Sequence, residues 1–197
     1  MATTLLYLED FNLLEAKAKV LDVVEESGKI IVVLDQTVFY PQGGGQPYDK
    51  GIINSQFAKF VVGEVRFIDG TVKHIGHFEG GAFSKEEVVG LVVDVERRKL
   101  NSRLHSAGHV VDMAIHALGL KWVPGKGYHF PEGPYVEYIG SSEGLDKERL
   151  KADIENLCNK FVQEGRKTEL RFSLVNFTKI SMKSEFLAIR IFVIPNL

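Results

Sequence analysis

His105 and His109 stand four residues apart in the run RLHSAGHVVD, inside a stretch that holds no proline from Glu96 to Leu120. On a helix such residues share one face with Cβ atoms about 6 Å apart, and both rings reach one ion at about 2.1 Å from each nitrogen. A pair of metal ligands is one reading, and two polar positions beside an apolar stripe is the other. Asp112 continues the same face three residues on and is placed to orient His109. Ser106, Ala107 and Gly108 fill the interval, so the glutamate of a metallopeptidase HExxH is absent and that reading is excluded.

The second segment with chemical potential is PQGGGQP, residues 41–47. No GK[ST] follows, so it is not a phosphate-binding P-loop. Tyr48 stands where a dinucleotide fingerprint would need its third glycine. A turn is the plain reading. Three consecutive glycines cost more conformational entropy than a turn requires, and they admit positive φ and the close approach of a ligand. Gln42 and Gln46 flank Gly43, Gly44 and Gly45 with amides that donate and accept, and Thr37 adds a hydroxyl upstream.

The elements that must position these residues divide into two kinds. Up to residue 95 the apolar residues fall in short β-branched runs, 4–7, 18–24, 30–34, 57–67, 71–77 and 88–93, which predict a small β-barrel or sandwich. Asp69–Gly70 in FIDGTVKHI predicts a tight hairpin turn. Beyond Glu96 the period changes. Leu100, Leu104, Ala107, Val111, Ala114 and Leu118 form one helical stripe, with Gly119 as terminator. A second helix is predicted from Asp146 to about Glu164, capped at its start and burying Leu150, Ile154, Leu157 and Phe161. PGKGYHFPEGPYVEYIG between them reads as a Gly/Pro-rich turn leading into a strand, and ELRFSLV and IRIFVI read as further strands. The expected fold is α+β: residues 1–95 as an N-terminal barrel with the glycine loop, and residues 96–197 as helices packed on an antiparallel sheet.

Composition is that of a globular chain: 197 residues, 45% hydrophobic and 25% charged. The single cysteine, Cys158, allows no internal disulfide, and it reads as a small buried apolar residue. MATTLLYLED has no basic segment ahead of an apolar one, and no apolar run is long enough to span a bilayer, so a soluble, cytoplasmic protein is expected. A net charge of −2 argues against binding nucleic acid by bulk charge. Arg97, Arg98, Lys99 and Arg103, with Lys121 and Lys126 after the helix, still concentrate positive charge locally.

Taken in order, LDQTVFYPQGGGQPYDKG, NSRLHSAGHVVDMA and KGYHFPEGPYVEY resemble the alanyl-tRNA editing proteins called AlaX, and equally the editing domain within alanyl-tRNA synthetase, over nearly the whole chain. The resemblance implies a hydrolase that clears serine or glycine from tRNA for alanine. It implies zinc as cofactor, with His105 and His109 as ligands and a later CxxxH supplying the other two. It places Gly43, Gly44, Gly45 and Gln42 beside an amino-acid pocket with Thr37 and Gln46 at its rim as catalytic and recognition groups. Arg97, Arg98 and Arg103 become candidates for holding the acceptor end of the tRNA. No membrane and no nucleotide cofactor is expected, and neither ligase activity nor ATP binding.

The sequence departs from the family pattern in one respect. No CxxxH follows IRIFVI, since the sequence stops at Pro195–Asn196–Leu197, which the resemblance reads as truncation before the motif. Cys158 has no histidine four residues on, and VNFTKISMKSEFLA is unlike what precedes the family's final strand. His74, His77, His116 and His129 carry no family role, His129 being the nearest candidate to approach the site. Two expectations follow: an active deacylase if another group completes the zinc site, or an impaired member that binds tRNA or protein without hydrolysis.

Overall fold

The computed structural model describes residues 2–165 and the backbone of Phe186–Ile189. The chain divides into two units, Met1–Asn101 and Ser102–Leu197. The division falls inside a helix, somewhat later than the change of hydrophobic period at residue 95.

In the first unit β1 (Thr4–Leu5) pairs in parallel with β4 (Gln36–Thr37), and a 3₁₀ turn covers Leu6–Leu8. The strands β2 (Glu15–Glu26), β3 (Lys29–Leu34), β5 (Gly51–Asn54), β6 (Lys59–Ile68), β7 (Thr71–Gly80) and β8 (Val88–Val93) close into a barrel in the order β2-β3-β7-β6-β5-β8. Alternating residues fill it, among them Val20, Val32, Leu34, Phe60, Val65 and Leu91, all essentially without exposure. The expected Asp69–Gly70 hairpin is present, with φ of 50° and 77°. Ser27–Gly28 makes the same kind of turn between β2 and β3, with φ of 53° and 75°. Strand β5 is not foreseen from the sequence because GIIN is four residues long. It is held by pairing on both sides, Ile52 opposite Val61 and Val92, and it closes the barrel.

His74 lies fully inside this barrel. Its Nδ1 is 3.0 Å from the Val32 carbonyl, which can only accept, so Nδ1 carries the proton. Nε2 then accepts from the Thr37 hydroxyl at 2.8 Å, and Thr37 Oγ1 accepts from the Phe39 N–H at 3.0 Å.

The helix α1 (Val95–Ala117) begins in the first unit and from Ser102 belongs to the second, where β9 (Val123–Tyr128), β10 (Tyr135–Ile139), α2 (Lys147–Gln163) and β11 (Phe186–Ile189) follow. The antiparallel sheet runs β11-β10-β9. Val111, Ala114 and Ile115 of α1, Val136 and Tyr138 of β10, and Ile154 and Phe161 of α2 form its core, with Leu118, Leu150, Leu157 and Cys158 packed at the margin. Leu100, expected on the buried stripe, is 47% exposed. Asp146 caps α2 as expected, its Oδ1 accepting from the N–H groups of Glu148 and Arg149 at 3.1 Å. Gly119, with φ of 70°, follows the end of α1.

One correction concerns the Gly/Pro-rich stretch. VPGKGY is itself strand β9, because Gly125 lets the backbone lie against Glu137, whose carbonyl would stand 3.3 Å from an added Cβ. The strand read from IRIFVI reaches the described residues only at Ile189, whose backbone pairs with Val136. ELRFSLV lies outside them, as does nearly all of VNFTKISMKSEFLA. No described helix is long and apolar enough to cross a membrane.

Burial holds the pKa of His74 down to about 4, against about 6.5 for the unfolded chain. The fold therefore keeps the ring neutral while the unfolded chain takes up a proton. Stability is fully present above about pH 6.5 and falls as pH drops toward 4, by up to roughly 3 kcal/mol. Urea denaturation across that range shows the fall, and His74→Gln flattens the part of the slope due to this ring. An unchanged slope in the variant refutes it.

Candidate functional site

Residues 41–47 form a tight turn. Gly43 and Gln46 pair with each other, N–H to carbonyl, at 2.9 and 3.2 Å, and Gly44 and Gly45 sit at its tip with φ of 57° and 79°. Two positive-φ residues in a row explain two of the three glycines. Gly43 has open space where its Cβ would be, so neither backbone nor packing demands it. Gln42, Gly43 and Gly44 are exposed, while Gln46 is buried. Tyr40 and Asp49 close the neck of the loop: the Asp49 N–H donates to the Tyr40 carbonyl at 3.0 Å, and the Tyr40 N–H donates to Asp49 Oδ2 at 2.7 Å.

Thr37, expected at the rim of this loop, does not stand there. It is fully buried, with its hydroxyl committed between His74 and the Phe39 N–H. Arg98 is likewise corrected as a nucleic-acid ligand. It is 2% exposed, and its guanidinium donates to Asp49 Oδ2 through Nε at 2.9 Å and through Nη2, to the Phe11 carbonyl at 2.7 Å and to the Val38 carbonyl. Burial raises the pKa of Asp49, and the opposing pull of Arg98 keeps charge favourable there. Arg97 donates to the Tyr48 carbonyl at 2.9 Å and lies 5.4 Å from that ring's centre. Arg103 is exposed on α1.

In the second unit α1 presents His105 and His109 with ring centres 5.0 Å apart. His129, just after β9, stacks on the other side of His105 at 4.7 Å and 15°, giving three imidazoles in a row. Neither period nor motif pointed to His129 with any force. The signal was Gly108, a glycine inside a helix: a Cβ there would come 2.5 Å from His129 Cε1, so the glycine is the notch in which the ring lies. Burial holds His105 near pKa 4, aided by the neighbouring rings, and lowers His129 too. His109 moves the other way, because its Nδ1 lies 3.4 Å from Asp112 Oδ2 and donates to that carboxylate. Cys158 is half-buried with its thiol 3.9 Å from the Val110 carbonyl, and burial raises its pKa. Among the described residues no three His, Cys, Asp or Glu side chains converge to hold a metal.

A closed barrel with a glycine turn, followed by a helix that carries paired imidazoles and an antiparallel sheet, defines an α+β protein. Comparison with known proteins supplies the family. Residues 6–97 match the model of tRNA synthetases class II (A). The alanyl-tRNA editing protein AlaX-M of Pyrococcus horikoshii is 33% identical over 171 residues, covering 85% of this chain and 74% of that protein. AlaX-L of the same organism is 37% identical over 112 residues, 57% of this chain and 28% of that protein. The alanine–tRNA ligase of Methanobrevibacter smithii is 31% identical over 186 residues, 86% of this chain but 19% of the ligase. The chain belongs to the AlaX-type alanyl-tRNA editing family, and it spans about a fifth of that ligase and just over a quarter of AlaX-L.

Two substitutions separate structural from surface roles. Arg98→Met leaves Asp49 charged and unpaired, and lowers stability by about 3–5 kcal/mol in urea denaturation, whereas Arg103→Met changes it by less than about 0.5 kcal/mol. Equal effects contradict the assignment. Gly108→Ala gains roughly 1 kcal/mol of helix propensity and loses about 1–3 to crowding, so stability changes by between about zero and about 2 kcal/mol of loss, too wide a range to decide by itself. Its signature is instead a change in the ring-stacking NMR shifts of His105 and His129, and their constancy would refute the notch.

Proposed function

We propose that this chain is an aminoacyl-tRNA deacylase that hydrolyses the ester joining serine or glycine to tRNA for alanine, acting in the cytoplasm on the misacylated acceptor end. The observation that carries the reading is the alignment with AlaX-M, an alanyl-tRNA editing protein by name, over most of both chains. The paired imidazoles on α1 support it independently.

The fit to zinc rests on donor chemistry. His105 is neutral at physiological pH, and His109 spends its Nδ1–H on Asp112, which leaves Nε2 as the coordinating atom. These are two ligands of a set, and catalytic zinc takes three from protein. The remaining donors would come from outside the described residues. Zinc, when bound, lowers the pKa of a water and polarises an ester carbonyl. The chain's own residues then have to hold and select the substrate. The exposed Gly44 backbone with the Gln42 side chain offers an N–H and an amide to the amino acid, and a polar pocket that pairs with a serine hydroxyl penalises alanine, which lacks it. Thr37 serves this selection from within, by fixing the Phe39 backbone that leads into the loop. Arg103 remains as a candidate contact for the tRNA phosphates, and Arg97 as one through its exposed part.

The test incubates the full chain with seryl-tRNA and alanyl-tRNA for alanine and follows residual ester. Seryl ester is lost faster than in the protein-free control while alanyl ester is spared. The purified chain carries about one zinc, which His105→Ala removes. Loss of seryl ester no faster than the control ends the deacylase reading and leaves a binding module.

A further inference from the structure

The described residues around His109 extend further than the pair that sequence spacing brings together. His109 is an exposed ring, its side chain 66% accessible, so packing alone does not fix its orientation. Its Nδ1 lies 3.4 Å from Asp112 Oδ2, within ion-pair range, and Asp112 is itself a partly exposed helix residue with rotamers to choose from. The other carboxylate oxygen, Oδ1, accepts from the hydroxyl of Tyr138 at 2.5 Å. Tyr138 is 1% exposed, sits mid-strand on β10, and belongs to the apolar core that packs α1 and α2 on the sheet. It is the one buried member of the three.

We propose that Tyr138 is a positioning residue: its hydroxyl, fixed by the core, locks the Asp112 carboxylate, which in turn holds His109 in the Nδ1–H tautomer with Nε2 presented outward. The inference rests on the reading of His109 as a ligand and deepens it. The chain is one-directional in its proton roles. A carboxylate only accepts, so both the phenol and the imidazole must donate to it, and that sets the tautomer of an otherwise exposed ring. Burial, reinforced by Asp112, raises the pKa of Tyr138 and keeps the phenol protonated as the donor this requires. Orienting hydrogen bonds behind a metal-ligating histidine are worth about 10–100-fold in metal affinity.

Tyr138→Phe removes the hydroxyl and keeps the ring in the core. In the metal-free full chain at alkaline pH, the ¹⁵N shifts of His109 report its tautomer. The parent shows Nδ1–H alone, and the variant moves toward a mixture of tautomers while His116, on the same helix, stays where it was. Zinc affinity measured by chelator competition falls by roughly tenfold in the variant. His109 shifts identical to the parent's overturn the proposal. Should Tyr138→Phe fail to fold, Asp112→Asn, a change at a partly exposed side chain, gives the second reading: the Tyr138 phenol and His109 signals shift together if they form one chain, and movement of His109 alone overturns it. The tautomer measurement uses neither metal nor tRNA, so its outcome is the same whether or not the chain deacylates.

Discussion

The buried ion pair between Asp49 and Arg98 is the constraint on which the first unit depends. Withdrawing two charges from water costs several kcal/mol each, and attraction alone does not recover it unless the remaining donors and acceptors are also met. Arg98 meets most of them by spreading its guanidinium over Asp49 Oδ2, the Phe11 carbonyl and the Val38 carbonyl, with the Phe11 ring 4.6 Å from its centre, while Asp49 Oδ1 is buried with no hydrogen-bond partner among the described residues. Three stretches far apart in sequence are thereby joined: the segment before β2, the residues after β4 and the neck of the glycine loop. Tyr40, which shares Asp49, packs edge-on against Tyr7 and Phe11. A loop whose tip is two positive-φ glycines is held at its base by a charge pair that cannot be half removed.

The second unit solves a different problem, that of presenting polar rings from an apolar core. His129 is buried and His105 half-buried, burial lowers the pKa of both, and they stack because Gly108 and Gly127 offer no Cβ in the way. His109 alone reaches outward, and its pKa is raised because a carboxylate stands behind it. Rings four residues apart on one helix are thus unlike in character: one is half-buried with its pKa lowered by desolvation, the other exposed and beside an acid.

These arrangements are the ones on which the proposed ester hydrolysis would draw. The substrate bond is already activated, so the demands on the protein are to supply oriented nitrogen donors and to discriminate among small side chains. In that proposal orientation would come from the core through Tyr138 and Asp112. In that proposal discrimination would fall to the loop, whose exposed residues are Gln42, Gly43 and Gly44, and a backbone N–H recognises a polar atom without reaching into the space a small amino acid occupies.

Periodicity and local chemistry were legible in the amino-acid sequence alone. Alternation and Asp69–Gly70 were enough for the barrel's hairpins, the stripe from Leu104 to Leu118 for α1, Asp146 for the start of α2, and HxxxH for two imidazoles on one face, because each is set by residues close in the chain. The three ordered motifs were enough for the family. Partners at long separation emerged only in the folded chain. Whether an arginine in a basic run faces solvent or a buried carboxylate 49 residues away is invisible to composition, which is how Arg98 came to be grouped with Arg103. Thr37 looked like a rim hydroxyl until β7 brought His74 to it across the barrel, and β9 looked like a turn until β10 supplied its hydrogen bonds. Neighbours in the chain set dihedral preference and periodicity, whereas burial and hydrogen-bond pairing are properties of what the closed barrel and the stacked sheet bring together.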